Sequence, residues 1–211
     1  MRRAVKLAMD IVAAATGLVV LAPVMVGVAL AVRIAMGPPV LYRQMRPGYR
    51  GRPFGIVKFR TMRGELDADG RVLPADKRIT PLGQLLRRTS LDELPELWNI
   101  LKGEMSFVGP RPLLMEYLPH YTPEQARRHD VKPGLTGLAQ VSGRQLLEFD
   151  DRFRLDVWYI DNWSLRLDLE ILLRTAQKVV AGEGVPPITH VYTYLGDHPE
   201  QGAERDEEWP G

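Results

Sequence analysis

The strongest constraint on the fold is an apolar run of 22 uncharged residues, 11–32, which is interrupted by Pro23. About 20 apolar residues suffice for a helix to cross the hydrocarbon core of a bilayer. The apolar part of a cleaved secretory signal is shorter, about 7–15 residues. Proline removes a helix hydrogen bond and clashes with the preceding turn, so we expect Pro23 to bend the helix near its middle. The run therefore predicts a membrane-inserted helix that is broken at Pro23.

Basic residues on both sides of the run distinguish a re-entrant helix from one that spans the bilayer. A spanning helix carries its excess of Lys and Arg on the cytoplasmic side. Here residues 1–64 contain 11 basic residues, placed before and after the run, and one acidic residue, Asp10. This pattern predicts a re-entrant, monotopic helix with both ends at the cytoplasmic face of an anionic phospholipid bilayer. No aromatic-rich stacking motif accompanies the arginines, so nucleic acid is not an expected partner.

The rest of the chain predicts an α+β fold that is mainly helical. Residues 40–44 and 54–62 flank a turn-rich segment and predict a short β-hairpin. Amphipathic helices, expected to pack at the membrane surface, are predicted at 82–88, from Asp92 to a turn at Gly103, from Thr122 to about 130, at 150–162 and at 164–181. The helix that starts at Asp92 has one apolar stripe, formed by Leu94, Leu97, Trp98 and Leu101.

Composition divides the chain into three predicted parts. Residues 1–36 form the membrane-dipping helix, residues 37–183 a domain at the cytoplasmic face, and residues 184–211 a loosely ordered acidic tail. Within the domain, the polar stretch 63–78 is predicted to be a surface loop. The Gly-rich segment 131–144 is predicted to be a connection, and within it residues 133–143 form either plain turns or a cradle for a pyrophosphate.

Two adjacent carboxylates, Asp92 and Glu93, are the first candidates for chemistry. Pro95 fits the first turn of a helix, so we expect the helix to start at Asp92 and both acids to lie at the positive end of its dipole. That position favours ionised carboxylates, which serve as nucleophiles toward phosphorus or as ligands for Mg²⁺. Acids are favoured at helix starts in any case, and Ser90 with Glu93 matches a capping box, so a purely structural role stays open.

Basic side chains that suit phosphate accompany the acid pair. Arg111 lies between two prolines that stiffen its backbone, and arginine presents a planar fork to phosphate oxygens. Further candidates are Lys58, Arg60, Arg87 and Arg88. The chain has no cysteine, P-loop, dinucleotide-binding motif or HExxH, and its four histidines have no metal-ligand spacing. Together with the membrane segment, these features favour phosphoryl chemistry on a lipid substrate.

Four segments resemble the bacterial sugar transferases, that is, the monotopic polyprenyl-phosphate phosphoglycosyl transferases. They are KFRTM (58–62), RTSLDELPELWNILKGEMSFVGPRPLL (88–114), VKPGLTGLAQVSGR (131–144) and DVWYIDNWSLRLDLEIL (156–172). The segments stand in the order that the family has, and the chain is similar to the small members that consist of the catalytic core. The family often has Ser before the proline of its membrane helix, where this chain has Ala22.

The resemblance implies a role for each candidate residue. Asp92 would be the nucleophile, and Glu93 its neighbour at a Mg²⁺ site. Lys58, Arg87 and Arg111 would bind and stabilise substrate phosphate. Asp168 is a further candidate site residue, and Pro23 marks the break in the membrane helix.

The activity implied by the resemblance is transfer of a sugar 1-phosphate from a UDP-sugar to polyprenyl phosphate. UMP would leave, a phosphosugar would be carried on Asp92, and the lipid product would pass to downstream glycosyltransferases of exopolysaccharide or lipopolysaccharide assembly. The implied location is the cytoplasmic face of the bacterial inner membrane. Two other functions stay open: a membrane phosphatase that acts on a lipid diphosphate, and a non-catalytic scaffold that binds anionic lipid or another membrane enzyme.

Overall fold

The computed structural model describes residues 2–64, 75–143 and 147–181. Its helices are α1 (Arg2–Val20), α2 (Ala22–Met36), α3 (Ala75–Arg78), α4 (Pro81–Thr89), α5 (Glu96–Leu101), α6 (Pro123–Ala126), α7 (Leu138–Ser142), α8 (Phe149–Asp161) and α9 (Leu165–Val180). Its strands are β1 (Leu41–Pro47), β2 (Pro53–Phe59), β3 (Ser106–Val108) and β4 (Gly134–Thr136). The prediction of a mainly helical fold with a short hairpin is confirmed. The predicted tail at 184–211 lies outside the described residues.

The apolar run folds as two helices that meet at a sharp bend. α1 ends at Val20, α2 begins at Ala22, and the two helices are bent by 62°. Pro23 lies in the first turn of α2, where a missing N–H is tolerated and the ring prevents α1 from continuing. The predicted break at Pro23 is confirmed. Among the described helices, none is long and apolar enough to cross a bilayer alone, whereas the bent pair together has the required length and composition.

Both apolar packing and a polar cluster attach α1 to the rest of the domain. Ala14 is fully buried in a core that also contains Leu97 of α5. The carboxylate of Asp10 accepts hydrogen bonds from the Ser106 hydroxyl at 2.7 Å and from the backbone N–H of Phe107 at 3.4 Å. These bonds supply the partners that a carboxylate needs at the edge of an apolar run.

The hairpin consists of β1 and β2, which pair antiparallel. Compared with the prediction, β1 continues to Pro47 and β2 already ends at Phe59. β2 is shorter because Met62 forms an antiparallel bridge with Ile79 instead of pairing with β1. The predicted surface loop at 63–78 is wrong at its end, since α3 forms there, and residues 65–74 lie outside the described part of the chain.

The acid pair lies in a 3-10 turn, Leu91–Glu93, rather than in the first turn of an α-helix. α5 begins only at Glu96, because Pro95 takes the cap position, where its missing N–H is not needed. The predicted helix start at Asp92 is therefore wrong. The predicted apolar stripe is also incomplete, since Trp98 has 52% of its surface exposed.

The predicted Gly-rich connection at 131–144 contains β4 and α7, so it is more than a series of turns. β4 pairs in parallel with β3, which follows α5. Glycine is required for this close packing, because a Cβ atom on Gly134 would lie 2.2 Å from the backbone nitrogen of Gly109. The N–H of Gly134 donates a 3.0 Å hydrogen bond to the carbonyl of Pro110, so it is engaged within the fold and does not line a pyrophosphate cradle.

The remaining predicted helices are confirmed. α4, α8 and α9 match the predictions at 82–88, 150–162 and 164–181 to within one residue at each end. The capping box at Thr122 is present, with the Thr122 hydroxyl accepting from the N–H of Gln125 and the Gln125 side chain accepting in return. α6 itself is short, and a 3-10 turn, Arg127–His129, continues it toward residue 130.

Candidate active site

The junction between α4 and α5 positions the acid pair. α4 ends at Thr89, and the left-handed backbone conformation of its C-cap residue, Ser90 (φ 56°, ψ 18°), turns the chain sharply. The 3-10 turn that carries Asp92 and Glu93 follows directly. Asp92 is 9% exposed and the Glu93 side chain is 18% exposed, so both carboxylates are mostly shielded from water but still reach the surface.

Glu93 is held by two cations from distant segments. Its Oε1 accepts a 2.7 Å hydrogen bond from Nζ of Lys58 in β2 and another, also 2.7 Å, from Nη2 of Arg111. Burial alone would raise the pKa of Glu93, but the charges and hydrogen bonds of Arg111 and Lys58 hold it well below its usual range. Glu93 is therefore firmly ionised and serves as the fixed point for both cations.

Asp92 has a different environment from its neighbour. Its carboxylate has no hydrogen-bond or ion-pair partner among the described residues. Burial raises the pKa of Asp92, the charge of Glu93 raises it further, and Lys58, Arg87 and Arg111 act in the opposite direction. The expectation that a helix dipole favours the ionised form is wrong for Asp92, because the residue precedes α5 and does not lie in its first turn.

Arg87 approaches the acid pair from α4. Its Nε donates a 2.9 Å hydrogen bond to the Thr61 hydroxyl, and within the described ranges no carboxylate pairs with it. Burial lowers the pKa of Arg87, while the charges of Asp92 and Glu93 raise it. The guanidinium is therefore close enough to interact electrostatically with both carboxylates. Its two terminal NH₂ groups remain available to an anion, because the bond to Thr61 uses only Nε.

Glu96 is a third carboxyl group at this site that the sequence prediction missed. It is 2% exposed, and its Oε1 lies 2.9 Å from Nζ of Lys58 in an ion pair without hydrogen-bond geometry. Burial, with a further contribution from the charge of Glu93, raises the pKa of Glu96 to about 7, although Lys58 opposes the shift. The spacing of four residues from Asp92 and three from Glu93 is the sequence signal that would have indicated it.

A buried ion pair between Arg128 and Asp156 fixes the backbone of the loop that carries Arg111. Nη2 of Arg128 donates to the backbone carbonyl of Arg111 at 2.9 Å and to Oδ2 of Asp156 at 2.7 Å. Arg128 is 3% exposed and lies over the ring of Phe153, with 5.2 Å from Cζ to the ring centroid. Neither Arg128 nor Asp156 was predicted, because their partners are far away in the chain.

The other predicted residues lie elsewhere. Asp168 accepts hydrogen bonds from Lys6 at 2.6 Å, from the Tyr159 hydroxyl at 2.7 Å and from the Trp163 indole at 3.2 Å. These contacts tie α1 to α9 and do not include the acid pair. Arg60 donates to the carbonyls of Met36, Gly37 and Pro38 at the end of α2, and Arg88 is exposed. Of the predicted cations, Lys58, Arg87 and Arg111 are the ones that converge on the acid pair.

The acid pair has the chemistry that Mg²⁺ requires. Glu93 receives both of its cations on Oε1, so Oε2 and the Asp92 carboxylate remain as adjacent oxygen donors. Mg²⁺ usually takes only one or two carboxylates and completes its shell with water and substrate phosphate. In the described part of the chain no group of three or more acidic or histidine side chains forms a metal site. Asp92 and Glu93 are the residues that fit a Mg²⁺ shared with a phosphate.

Comparison with known protein families gives a match that covers all of the described residues. The family described as bacterial sugar transferase matches residues 1–182. Among curated relatives, an uncharacterized sugar transferase of Bacillus subtilis, EpsL, is 54% identical over 170 residues, which are 79% of this chain and 84% of that protein.

Two further relatives have more specific names. The UDP-glucose:undecaprenyl-phosphate glucose-1-phosphate transferase of Caulobacter vibrioides is 42% identical over 185 residues, 83% of this chain and 69% of that protein. The undecaprenyl-phosphate galactose phosphotransferase of Salmonella typhimurium is 38% identical over 200 residues, 86% of this chain but only 42% of that protein.

Proposed function

The chain belongs to the bacterial sugar transferase family, and from that premise we propose that it transfers a sugar 1-phosphate from a UDP-sugar to polyprenyl phosphate. The names of the Caulobacter and Salmonella relatives describe sugar-phosphate transfer to undecaprenyl phosphate. The chain spans about two fifths of the Salmonella protein (42%), and the activity is inferred from the part that the two share.

The observation that carries the proposal is the contrast between the two adjacent carboxylates. Glu93 is ionised and fixed by Lys58 and Arg111, whereas Asp92 has no partner within the described residues and lies beside the same cations. A nucleophile must have an oxygen that is not already committed to hydrogen bonds, and a phosphate needs cations around its oxygens. Asp92 meets the first requirement, and its neighbours meet the second.

In the first half-reaction, an oxygen of the Asp92 carboxylate attacks the β-phosphorus of the UDP-sugar. The new O–P bond forms as the bond from the β-phosphorus to the bridging oxygen breaks, and UMP leaves with that oxygen. Lys58, Arg87 and Arg111 stabilise the charge on the phosphate oxygens. Asp92 and Glu93 would hold a Mg²⁺, which would supply further neutralisation of the diphosphate charge.

In the second half-reaction, an oxygen of polyprenyl phosphate attacks the phosphorus of the phosphosugar on Asp92. The aspartyl O–P bond breaks, the carboxylate is regenerated, and the product is a polyprenyl-diphosphate sugar, the lipid-linked substrate for a downstream glycosyltransferase. One nucleophile thereby serves a water-soluble donor and a lipid acceptor in turn, which gives ping-pong kinetics.

We place the bent pair α1–α2 in the cytoplasmic leaflet of the bacterial inner membrane as a re-entrant segment. Large apolar side chains on both helices face outward, with Val19 76% exposed and Leu30 58% exposed, and contiguous exposed apolar surface favours membrane contact. α9 exposes Leu169 (57%) and Leu173 (56%) beside basic residues, as a helix lying in the membrane interface does. This arrangement would bring a lipid phosphate to the same surface as the acid pair.

Release of UMP tests the proposed function. Purified protein in detergent, given Mg²⁺, polyprenyl phosphate and each of a panel of UDP-sugars, should release UMP with at least one donor, and Asp92→Asn should not. Release of inorganic phosphate from a polyprenyl diphosphate in the absence of any UDP-sugar would instead favour a phosphatase. A scaffold role would be favoured if no UDP-sugar were turned over and if the Asp92→Asn protein still fully complemented a strain that lacks the wild-type gene.

A further inference from the structure

Arg46 is an arginine, in addition to Arg111, whose position near the site is not explained by contacts with Asp92 or Glu93. It is half-buried in β1, and its Nη2 donates a 2.6 Å hydrogen bond to Oε1 of Gln44, a neutral partner. Among the described residues, no carboxylate forms an ion pair with it. Arginine is rarely withdrawn from water without a counter-ion, so Arg46 has a charge that a ligand can compensate.

The hairpin register places Arg46 on the same face as Lys58. Tyr42 lies opposite Lys58 and Arg46 lies opposite Phe54, and directly opposite residues of an antiparallel pair project to the same face. Residues separated by an even number of positions along a strand also share a face. Lys58 and Arg46 are therefore on one side of the hairpin, about 13 Å apart along it, and Lys58 already contacts Glu93.

The turn after Arg46 packs against the loop that carries Arg111. Pro47 and Gly48 line one small cavity together with Pro110, Arg111 and Pro112. Burial lowers the pKa of Arg46, and the nearby positive charge of Arg111 lowers it further, against smaller opposite contributions from Tyr42 and Glu116. Two guanidinium groups are thus held near each other although their charges repel.

We propose that Arg46 and Arg111 together bind a phosphate group of the substrate at the edge of the active site. Arg111 reaches Glu93 with Nη2, and Arg46 extends the row of cations away from the acid pair. An anion between the two guanidiniums removes their repulsion and accepts hydrogen bonds from two planar forks. This inference rests on the proposed function, in which the phosphate belongs either to the UDP-sugar or to polyprenyl phosphate.

Binding measurements on the full-length protein in detergent test the proposal. The probes are UDP with Mg²⁺ and a short-chain polyprenyl phosphate, titrated by calorimetry into wild type, Arg46→Gln and Arg46→Lys. Arg154→Gln is the matched control, because it removes an equal charge from an 80% exposed side chain on α8. Melting temperatures are recorded for every variant, and Arg46→Lys keeps the charge in case Arg46→Gln fails to fold.

We expect Arg46→Gln to weaken the binding of one probe about 10- to 100-fold, the effect of losing one charge-assisted hydrogen bond or more. Arg46→Lys should fall between wild type and Arg46→Gln because it keeps the charge but loses the fork. A loss confined to UDP assigns the phosphate to the donor, and a loss confined to polyprenyl phosphate assigns it to the acceptor. Wild-type affinity for both probes in a folded Arg46→Gln or Arg46→Lys protein would overturn the proposal.

Turnover separates this proposal from the function on which it rests. If wild type releases UMP normally while the Arg46 variants bind and turn over as wild type does, the Arg46 site is wrong and the proposed function stands. If wild type turns over no UDP-sugar, the proposed function is wrong, and the affinity of Arg46→Gln for the two phosphate probes still decides whether Arg46 is an anion site.

Discussion

Nη2 of Arg111 donates a 2.7 Å hydrogen bond to Oε1 of Glu93, across 18 residues of chain. The contact joins the proline-flanked loop to the turn that carries the acid pair, and Lys58 of the hairpin reaches the same oxygen at 2.7 Å. Three separate segments are thus fixed relative to one another through one carboxylate oxygen. Glu93 therefore organises the cations, while Asp92 keeps its oxygens for a reaction.

Replacement of Arg111 by Lys should lower activity although the charge is kept. Lysine cannot hold Glu93 and also present a second N–H in a planar fork to phosphate. We expect kcat/KM to fall about 10- to 150-fold, which corresponds to about 1.5–3 kcal/mol for a charge-assisted hydrogen bond. Arg154→Lys, on the exposed surface of α8, is the control. If Arg111→Lys kept the wild-type kcat/KM, Arg111 would have a structural role only.

The two adjacent acids should affect stability in opposite directions. The folded-state pKa of Asp92 is raised, so above it the native protein carries a buried charge that the unfolded chain exposes to water. The folded-state pKa of Glu93 is lowered, so its ionised form stabilises the native protein at pH values above the ordinary pKa of a glutamate.

At pH 8 we therefore expect Asp92→Asn to raise the melting temperature and Glu93→Gln to lower it, each by several degrees, since about 1 kcal/mol shifts it by 2–4 °C in a chain of this size. Thermal unfolding monitored by circular dichroism, with EDTA present, measures both effects. Equal shifts of the same sign in the two variants would contradict the contrast between the two carboxylates.

Glu96 should make stability depend on pH between about 4.5 and 7. Its folded-state pKa is raised to about 7, so the native state binds its proton more tightly than the unfolded chain does. The associated stability is fully present below the ordinary glutamate pKa and is lost as the pH rises through about 7. Glu96→Gln should therefore flatten the decline between pH 5 and 8 in metal-free urea titrations. An unchanged pH profile would show that Glu96 does not titrate there.

Pro23→Leu should straighten the helix pair and shift some molecules toward a spanning orientation. The two helices are bent by 62° at this point, and leucine restores the missing N–H and removes the ring clash. The chain has no cysteine, so single cysteines introduced near Arg3 and near the C-terminus report topology through an impermeant periplasmic reagent. The wild-type helix should leave both positions unlabelled, and labelling of either one would contradict the re-entrant arrangement.

Local sequence patterns were sufficient to predict those helix breaks and helix starts that depend on residues within one turn of each other. Pro23 breaks its helix by its own covalent structure, and the capping box at Thr122 needs only Gln125. Pro95 was ambiguous, because proline fits both the cap and the first turn of a helix, and the choice moved the start of α5 from Asp92 to Glu96.

The parts of the site that sequence reasoning missed depend on tertiary contacts. Arg128 meets Asp156 across 28 residues, and no local pattern links them. The burial of Glu96 follows from the packing of α5 against the hairpin. The charge of Arg111 acts on Arg46 because the turn that follows Arg46 packs on the proline-flanked loop. The Gly-rich segment 131–144 resembled a phosphate loop because close backbone packing and phosphate binding both require glycine.

The most direct test of the account is the mass of the protein after incubation with a UDP-sugar that it turns over and Mg²⁺, without lipid acceptor. We predict a burst of UMP near about one equivalent and a mass increase of one sugar phosphate, located by peptide mapping to Asp92. Asp92→Asn should form no adduct and stay folded, and Glu93→Gln should form it slowly. An unmodified wild-type protein that still turns over with acceptor present, with intersecting double-reciprocal lines, would contradict the account and indicate direct attack by the lipid phosphate.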